Sequence, residues 1–369
     1  MTNPNLPLYF TGSISANDTT YLPVRKAIVR AMQEYGCVLD DHVARDNALA
    51  IADEMKKKGI NIYAHDTGLT DLAIAGVAEI STATTGGGGE IERLATQGKP
   101  LLVLHHQDTR GSWYVNDMPA VLPNVTHKTY ATQEEAVALT REFLEKIPRK
   151  PFTGKFIVID GPDYCGKGTQ HRMLVSYLLD HPQDRDQKLM NVVATREPFN
   201  THYQKEIRKI LKESMDPRAK AERLAELFVN DRKIHIATTI IPDVAKGFVV
   251  VSDRYKYSTE AYQSAQGLDL DTLIGMHRGM PVPDVTFFIK VSLEERMRRK
   301  AAARERPYEE IFDKDKDFQQ QLDRQYEALV EKHKDEKIIV VDGNRPKEDV
   351  FHTIKNYVDL LLRQEKNKE

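Results

Sequence analysis

The stretch "IVIDGPDYCGKGTQ", residues 157–170, decides the fold of the chain around it. An apolar, strand-like run leads into Gly161, Gly166 and Lys167, which complete the pattern G-x-x-x-x-G-K, and the helix-like "TQHRMLVSYLL" follows at once. Such a loop holds phosphate for stated physical reasons. Glycines let successive backbone N–H groups turn inward, the helix N-terminus adds partial positive charge, and the lysine reaches the outer phosphates. A chance glycine turn would not bring strand, loop, lysine and helix together in this order. Where the pattern usually places Ser or Thr after the lysine, this chain has Gly168, and Thr169 comes next. A hydroxyl therefore stays within reach of a magnesium ion, through water rather than directly. Cys165 reads as a small filler of the loop.

The loop begins about 150 residues into a chain of 369, a length natural for two domains. Upstream, "LPLYFTG", "CVLD" and "KPLLVLHH" read as strands and "DLAIAGVAEIS" as a helix end then a strand, alternating with the helical stretches "YLPVRKAIVRAMQEYG", a charged one through Lys58, and "GEIERLATQG". Prolines, a glycine and a run of cations break this pattern at "KIPRKPFTGK", 146–155, as a linker does. Downstream, "KFIVID", "NVVATREP", "GFVVVSDRY", "DVTFFIKV" and "KIIVVDG" form a second strand series. The expected fold is α/β, with two tandem domains at 1–148 and 153–369, each a parallel sheet flanked by helices.

Composition excludes several classes. With 53 Lys and Arg against 55 Asp and Glu, the net charge of -2 provides no broad basic surface, and nucleic acid is not an expected partner. No apolar run approaches a membrane span, and "MTNPNLPLYF" lacks the features of a signal peptide. Two cysteines, Cys37 and Cys165, make no disulfide framework, and no C-x-x-C or H-E-x-x-H stands ready for a metal. A soluble, cytoplasmic protein is expected.

In the first domain, Glu90 follows four glycines and is expected to start a helix at a strand-to-helix crevice. Breaking an N-glycosidic bond passes through an oxocarbenium-like state, which a carboxylate beneath the anomeric carbon serves well as nucleophile. Asp66 is the natural second acid.

The motifs "GPDYCGKGTQ", "TREP" (195–198), "LFVNDR" (227–232), "VVVSDRYKYSTEAYQ" (249–263) and "PVPDVTFFIKVSLEERMRR" (281–299) resemble, in order and spacing, those of the thymidylate kinases. The likeness covers nearly all of 153–369, and the GKGTQ ending is similar to adenylate kinases. It implies a P-loop nucleoside monophosphate kinase fold using ATP and Mg2+. Gly161, Gly166, Lys167, Gly168, Thr169 and Gln170 would hold the donor, with Asp163 beside the acceptor phosphate. Arg254 would bind that 5′-phosphate, and Asp253 would lie near magnesium with Thr169. Arg196 and Glu197 would line the acceptor site, Phe228 would stack on the base, Arg232 would contact base or phosphate, and Tyr262 and Gln263 would border sugar and base. Tyr164 stands where some members have a loop arginine, so Arg299, Arg304 and Arg306 of the lid segment are expected to supply the missing charge. Phe199 and Asn200 replace the usual glycines of REPGGT and are expected to add bulk near the acceptor.

"LYFTGSIS" (8–15), "DDHVA" (40–44), "HDTGLTDLAIAGVAEIS" (65–81) and "TTGGGGEIERLATQGKPLLVL" (84–104) resemble the nucleoside 2-deoxyribosyltransferases and the related 2′-deoxynucleoside 5′-phosphate N-hydrolases. The likeness implies a Rossmann-like deoxyribosyltransferase fold with Glu90 as nucleophile at C1′. Asp66 would bind or protonate the base, Tyr9 would position Glu90, and Gly12 and Ser13 would lie along the sugar or 5′-phosphate. Thr84 and Thr85 are further hydroxyls for that phosphate. Asn116 of "VNDM" would reach a neighbouring subunit's deoxyribose, which implies a homo-oligomer, at least a dimer. Ser15 and Ile74 depart from the hydrolase pattern, where a cation and an aspartate stand. The combined expectation is a bifunctional enzyme of deoxynucleotides, with a deoxyribosyltransferase or a non-catalytic binding module as the alternatives for the first domain.

Overall fold

The structure, a computed structural model, describes residues 6–13, 19–57, 61–82, 84–111, 113–148, 152–180, 191–199, 201–213, 220–302 and 316–363. It divides into two compact units. One comprises Met1–Lys150, Ile236–Ile241 and Arg278–Pro281, the other Pro151–His235, Pro242–His277 and Val282–Glu369. Among the described residues, no helix is long and apolar enough to cross a membrane.

In the first unit, β1 (Leu6–Gly12), β2 (Gly36–Val38), β3 (Ala75–Glu79), β4 (Leu101–His106) and β5 (Val125–Tyr130) form a sheet in the order β2-β1-β3-β4-β5. Every pairing is parallel; Leu8 lies opposite both Val38 and Ala75, and Glu79 lies opposite Leu104. β1 and β3 are buried at every position, as strands covered on both faces must be. Leu8, Phe10, Val77, Leu102 and Leu104 form one core with Ile28 and Met32 of helix Leu22–Met32 and Leu144 of helix Gln133–Glu145. Helices Ile62–Leu72 and Thr85–Thr96 pack on each other and on β1 and β3.

The four glycines correct the sequence reading. They lie inside the helix, which begins at Thr85, so Glu90 stands in its second turn rather than at its start. Thr84 caps this weak helix former by accepting the Gly87 N–H at 3.3 Å. A Cβ on Gly87 would come within 3.2 Å of the Thr84 hydroxyl and 3.5 Å of the Thr11 hydroxyl, so the missing side chain lets the helix run close to the end of β1.

In the second unit, β6 (Lys155–Asp160), β7 (Val192–Arg196), β8 (Val249–Asp253), β9 (Val285–Lys290) and β10 (Ile338–Asp342) follow the order β10-β9-β6-β8-β7, again all parallel. Ile157, Ile159, Val251 and Phe287 meet Leu174 and Leu178 of helix Lys167–Asp180 and Val350, Ile354 and Val358 of helix Lys347–Arg363. Helices Lys256–Ala265 and Lys316–Lys332 pack together. With β6 central and strands added on both sides, the crevice at its carboxyl end is where such sheets take ligands.

Candidate active sites

The crevice after β6 holds the loop 161–168. Gly161 has φ 146° and Gly166 φ 98°, both beyond ordinary side-chain-bearing residues. A Cβ on Gly161 would lie 2.8 Å from the Ile289 carbonyl oxygen, so the loop closes only with glycine there. Tyr164, also at positive φ (62°), keeps the turn without a glycine. Asp160, the fully buried last residue of β6, fixes the loop's entrance: it accepts from the Gly161 N–H (2.7 Å), the Ser258 hydroxyl (2.6 Å), the Tyr326 hydroxyl (3.0 Å) and the Tyr255 N–H (3.1 Å). Sequence reasoning gave Asp160 no role, although a carboxylate closing an apolar strand was a signal.

Asp163 gathers the cations. Its Oδ1 accepts from Arg254 Nη2 at 2.6 Å and Lys167 Nζ at 3.3 Å, and its Oδ2 accepts from the Tyr262 hydroxyl at 3.1 Å. Burial would lower the Arg254 pKa, but Asp163, Tyr262 and Tyr326 beside it raise it well above the ordinary value. Asp163, Lys167, Arg254, Arg196, Phe228 and Arg232 line one cleft of about 630 Å³, together with Thr169, Asp253 and Gln263. Gln204 and Arg208 of helix His202–Glu213 also line it, and sequence reasoning did not single them out.

Glu197, Gln170 and Phe199 have partners within the protein. Glu197 lines the same cleft as expected; it is buried, takes Arg232 Nε at 2.7 Å and Nη2 at 2.6 Å, and accepts from His235 Nδ1 at 3.0 Å. It positions Arg232, which also meets His277 Nε2 at 2.7 Å. Gln170 donates its amide NH2 to the Lys347 carbonyl at 2.9 Å, and its Oε1 is buried without a hydrogen-bond partner among the described residues. Phe199 stacks on the buried His235, ring centroids 4.4 Å apart, and its N–H donates to Asp231 at 2.5 Å, so its bulk is spent on packing. Arg299 donates to the Cys165 carbonyl (3.1 Å) and the Gly343 carbonyl (2.7 Å), which sets a cation against the outside of the loop. Arg304, Arg306 and Asn200 lie outside the described residues.

The loop fits a nucleotide's phosphates, and a divalent ion also fits. Asp253 Oδ1 is buried with no hydrogen-bond partner, and the other oxygen, Oδ2, lies 3.3 Å from where a Gly168 Cβ would be. Gly168 thus leaves room beside a carboxylate whose Oδ1 has no hydrogen-bond partner among the described residues.

In the first unit, the carboxyl end of β1 collects Tyr9, Asp40, His42, Asp66 and Glu90. Burial, foremost, raises the Glu90 carboxyl to about 7; the charges of Asp66 and Asp40 add to this, while the Thr11 hydroxyl and His42 oppose it. Tyr9, 1% exposed, is pushed well above its ordinary value by burial and by Glu90, Asp40 and Asp66, with a hydrogen bond to Glu90. His42 Nδ1 and Asp40 Oδ1 are 2.6 Å apart. Burial would lower His42, but Asp40 holds it at about 9 and so cationic at neutral pH. The hydroxyls of Thr11 and Ser13 are buried; that of Thr11 faces the Glu90 carboxyl, and that of Ser13 has no hydrogen-bond partner among the described residues. Thr84, expected to serve a phosphate, has its hydroxyl engaged by Gly87 as the helix cap. Asn116 ends the short helix Trp113–Asn116; its amide donates to the Arg110 carbonyl at 3.4 Å, and its Oδ1 is buried without a partner. Ser15 lies outside the described residues.

A buried ion pair braces this end of the sheet. Arg25 Nε donates to Glu79 Oε2 at 2.9 Å and Arg25 Nη1 to the Ser13 carbonyl at 2.8 Å, while Glu79 Oε1 accepts the Ser81 N–H and the Tyr130 hydroxyl. The loops after β1 and β3 are thereby tied to one charge pair.

Residues 159–354 match the family model described as thymidylate kinase. A "Probable thymidylate kinase" of Thermococcus kodakarensis is 35% identical over 216 residues, 57% of this chain and 100% of that protein. A "Thymidylate kinase" of Desulfotalea psychrophila is 34% identical over 151 residues, 41% of this chain and 70% of that protein. A "Probable thymidylate kinase" of Pyrococcus horikoshii is 39% identical over 149 residues, 40% of this chain and 69% of that protein. The matched span begins at the end of β6 and takes in the phosphate loop, the Asp163 cluster and the Arg232 network, and by it the chain belongs to the thymidylate kinase family.

Proposed function

We propose that the second unit transfers the γ-phosphoryl of ATP to the 5′-phosphate of dTMP, or of a related pyrimidine deoxynucleoside monophosphate, yielding the diphosphate and ADP. The observation that carries this reading is the sharing of Asp163 by Lys167 and Arg254 inside a cleft that also holds Phe228 and Arg232. Arriving phosphates compete with Asp163 for both cations. Lys167 then follows the donor phosphates, and Arg254 follows the acceptor phosphate. An acceptor oxygen attacks the γ-phosphorus, the bond to the bridging oxygen breaks, and its electron pair leaves with ADP. Phosphoryl transfer of this kind needs positioning and positive charge more than covalent help. Asp253 and Thr169 are the residues that would hold a magnesium ion, which when bound would supply positive charge against the phosphate oxygens. Phe228, half-buried, offers a ring face to the base. The test is a panel of nucleoside monophosphates with MgATP, assayed for diphosphate; no diphosphate from any pyrimidine deoxynucleotide overturns the reading.

For the first unit we infer cleavage of the N-glycosidic bond of a 2′-deoxynucleoside 5′-monophosphate. The gathering of Glu90, Tyr9 and Asp66, with the Thr11 hydroxyl on Glu90 and the buried Ser13 hydroxyl without a partner among the described residues, supports it. Glu90 attacks C1′, the C1′–N bond breaks with its electron pair passing to the base, and the base takes up a proton through Asp66. Water then displaces Glu90. Backbone N–H groups and the Ser13 hydroxyl are the groups for a 5′-phosphate, with Asn116 of a second copy near the 5′ end in an oligomer. Neutral donors hold a phosphate less strongly than charged ones, so the preference for monophosphate over nucleoside is modest. Comparing kcat/KM for base release from matched nucleoside and monophosphate decides the matter. Turnover of the nucleoside alone makes this unit a deoxyribosyltransferase, and unchanged base release in Glu90→Ala makes it a non-catalytic module.

A further inference from the structure

We propose that the first unit binds one divalent transition-metal ion between Asp40, His65 and Asp66. One side-chain ligand atom from each residue lies within 4.8 Å of the other two. Asp40 and Asp66 are each 8% exposed, and the His65 side chain is 11% exposed. The cluster is therefore an interior one, unlike the acidic groupings common on surfaces.

The second observation concerns Asp40 alone. Its Oδ1 is fully engaged, accepting the His42 backbone N–H at 3.0 Å and facing His42 Nδ1 at 2.6 Å. Its Oδ2 is buried and has no hydrogen-bond partner. Leaving a buried carboxylate oxygen unpaired is expensive, and buried charges are ordinarily paired or bound to metal. The His42 contacts hold the carboxylate as outer-shell partners hold metal-ligating carboxylates.

Geometry and donor chemistry narrow the ion. His65 Nδ1 and Asp66 Oδ1 are 3.1 Å apart, which is close to the edge spanned by two ligands each about 2.1 Å from one ion. Two carboxylates and one imidazole suit Zn2+ or Mn2+; Ca2+ takes six to eight oxygens, and Mg2+ keeps mostly oxygen and water. Three protein ligands also leave a coordination position open, the arrangement of reactive rather than purely structural sites. The inference needs no turnover and does not rest on the proposed base release; metal ligation needs Asp66 ionised, so an ion held here and proton delivery by Asp66 exclude one another at any one moment.

The test uses the full chain, freed of metal with EDTA and titrated with ZnCl2 and with MnCl2 by calorimetry. Excess Mg2+ is kept present to occupy the kinase cleft. The expected result is one equivalent of Zn2+ or Mn2+ per chain, weakened by more than roughly 10–100-fold in Asp40→Asn and in His65→Gln and unchanged in Asp253→Asn. Bound Co2+ should give visible absorption in the wild type that His65→Gln removes. The two variants guard against misfolding: if Asp40→Asn fails to fold, His65→Gln decides alone. No saturable binding in the wild type overturns the proposal. Binding that survives in the folded His65→Gln variant, or that disappears in Asp253→Asn, does so equally.

Discussion

Replacing Glu197 with Gln tests the internal support of Arg232. The wild-type carboxylate is buried and receives two guanidinium N–H groups within 2.7 Å, and Arg232 is 1% exposed. Gln keeps the volume but removes the charge and turns an NH2 toward a donor. The remaining partners of Arg232 are the Tyr255 carbonyl (3.1 Å), the Thr259 hydroxyl (3.0 Å) and His277. None carries negative charge. Breaking a buried pair while leaving one charge inside costs about 3–5 kcal/mol. With a urea slope of about 2 kcal/mol/M, the second unit's midpoint falls by roughly 2 M. Far-UV circular dichroism follows the whole chain, while fluorescence of the chain's one tryptophan, Trp113, reports on the first unit. Burial raises the Glu197 carboxyl, but the Arg232 and His235 interactions outweigh it and hold the pKa below the usual range. A lowered folded-state pKa means the stabilisation is present above the unfolded value and is lost as pH falls through the folded one. The gap between wild type and Glu197→Gln therefore narrows in acid. A midpoint change under about 0.5 M at neutral pH would show that the neutral partners suffice and would refute the reasoning.

Lys167→Ala should abolish ATP-dependent diphosphate formation and leave base release intact; loss of both in a folded protein contradicts two independent sites. With the Glu90 carboxyl near 7 and the ionised form as nucleophile, base release should rise about tenfold between pH 6 and pH 8. Burial foremost, with Thr11, Asp66, Asp40 and His42, sets this value, Tyr9 is hydrogen-bonded to Glu90, and a flat profile removes Glu90 from the chemistry. Gly161→Ala forces a side chain onto φ 146° and to 2.8 Å from the Ile289 oxygen, a strain of about 1–3 kcal/mol. ATP affinity by calorimetry should drop at least tenfold, and an unchanged affinity would mean that the loop relaxes freely.

The phosphate loop was legible because its function dictates backbone geometry, and backbone geometry dictates glycine. The helix at Thr85 was harder to read, since glycines signal a turn locally and only the Thr84 cap and the crowding near Thr11 keep them helical. β5 escaped notice because only its ends, Val125 and Tyr130, are buried, and the polar residues between them break any apolar run. Side-chain roles that depend on distant partners were not legible at all. Glu197 reads in "TREP" as a residue lining the acceptor site, but nothing there tells that Arg232 and His235, more than thirty residues away, surround its carboxylate. Asp40 and His42 stood in a quoted motif, yet nothing in "DDHVA" tells which carboxylate oxygen is left alone.

Asp160 has a thermodynamic consequence. One carboxylate holds the entrance of the phosphate loop through Gly161 and the start of the opposing arm through Tyr255 and Ser258, and Ser258 in turn receives Arg254 at 2.7 Å. Two ligands entering this cleft do not meet independent surfaces. The first to arrive immobilises groups hinged on the same oxygen atoms, and the second no longer bears that ordering entropy. Affinities on the two sides are therefore expected to reinforce one another, and by linkage the factor would be the same whichever ligand comes first.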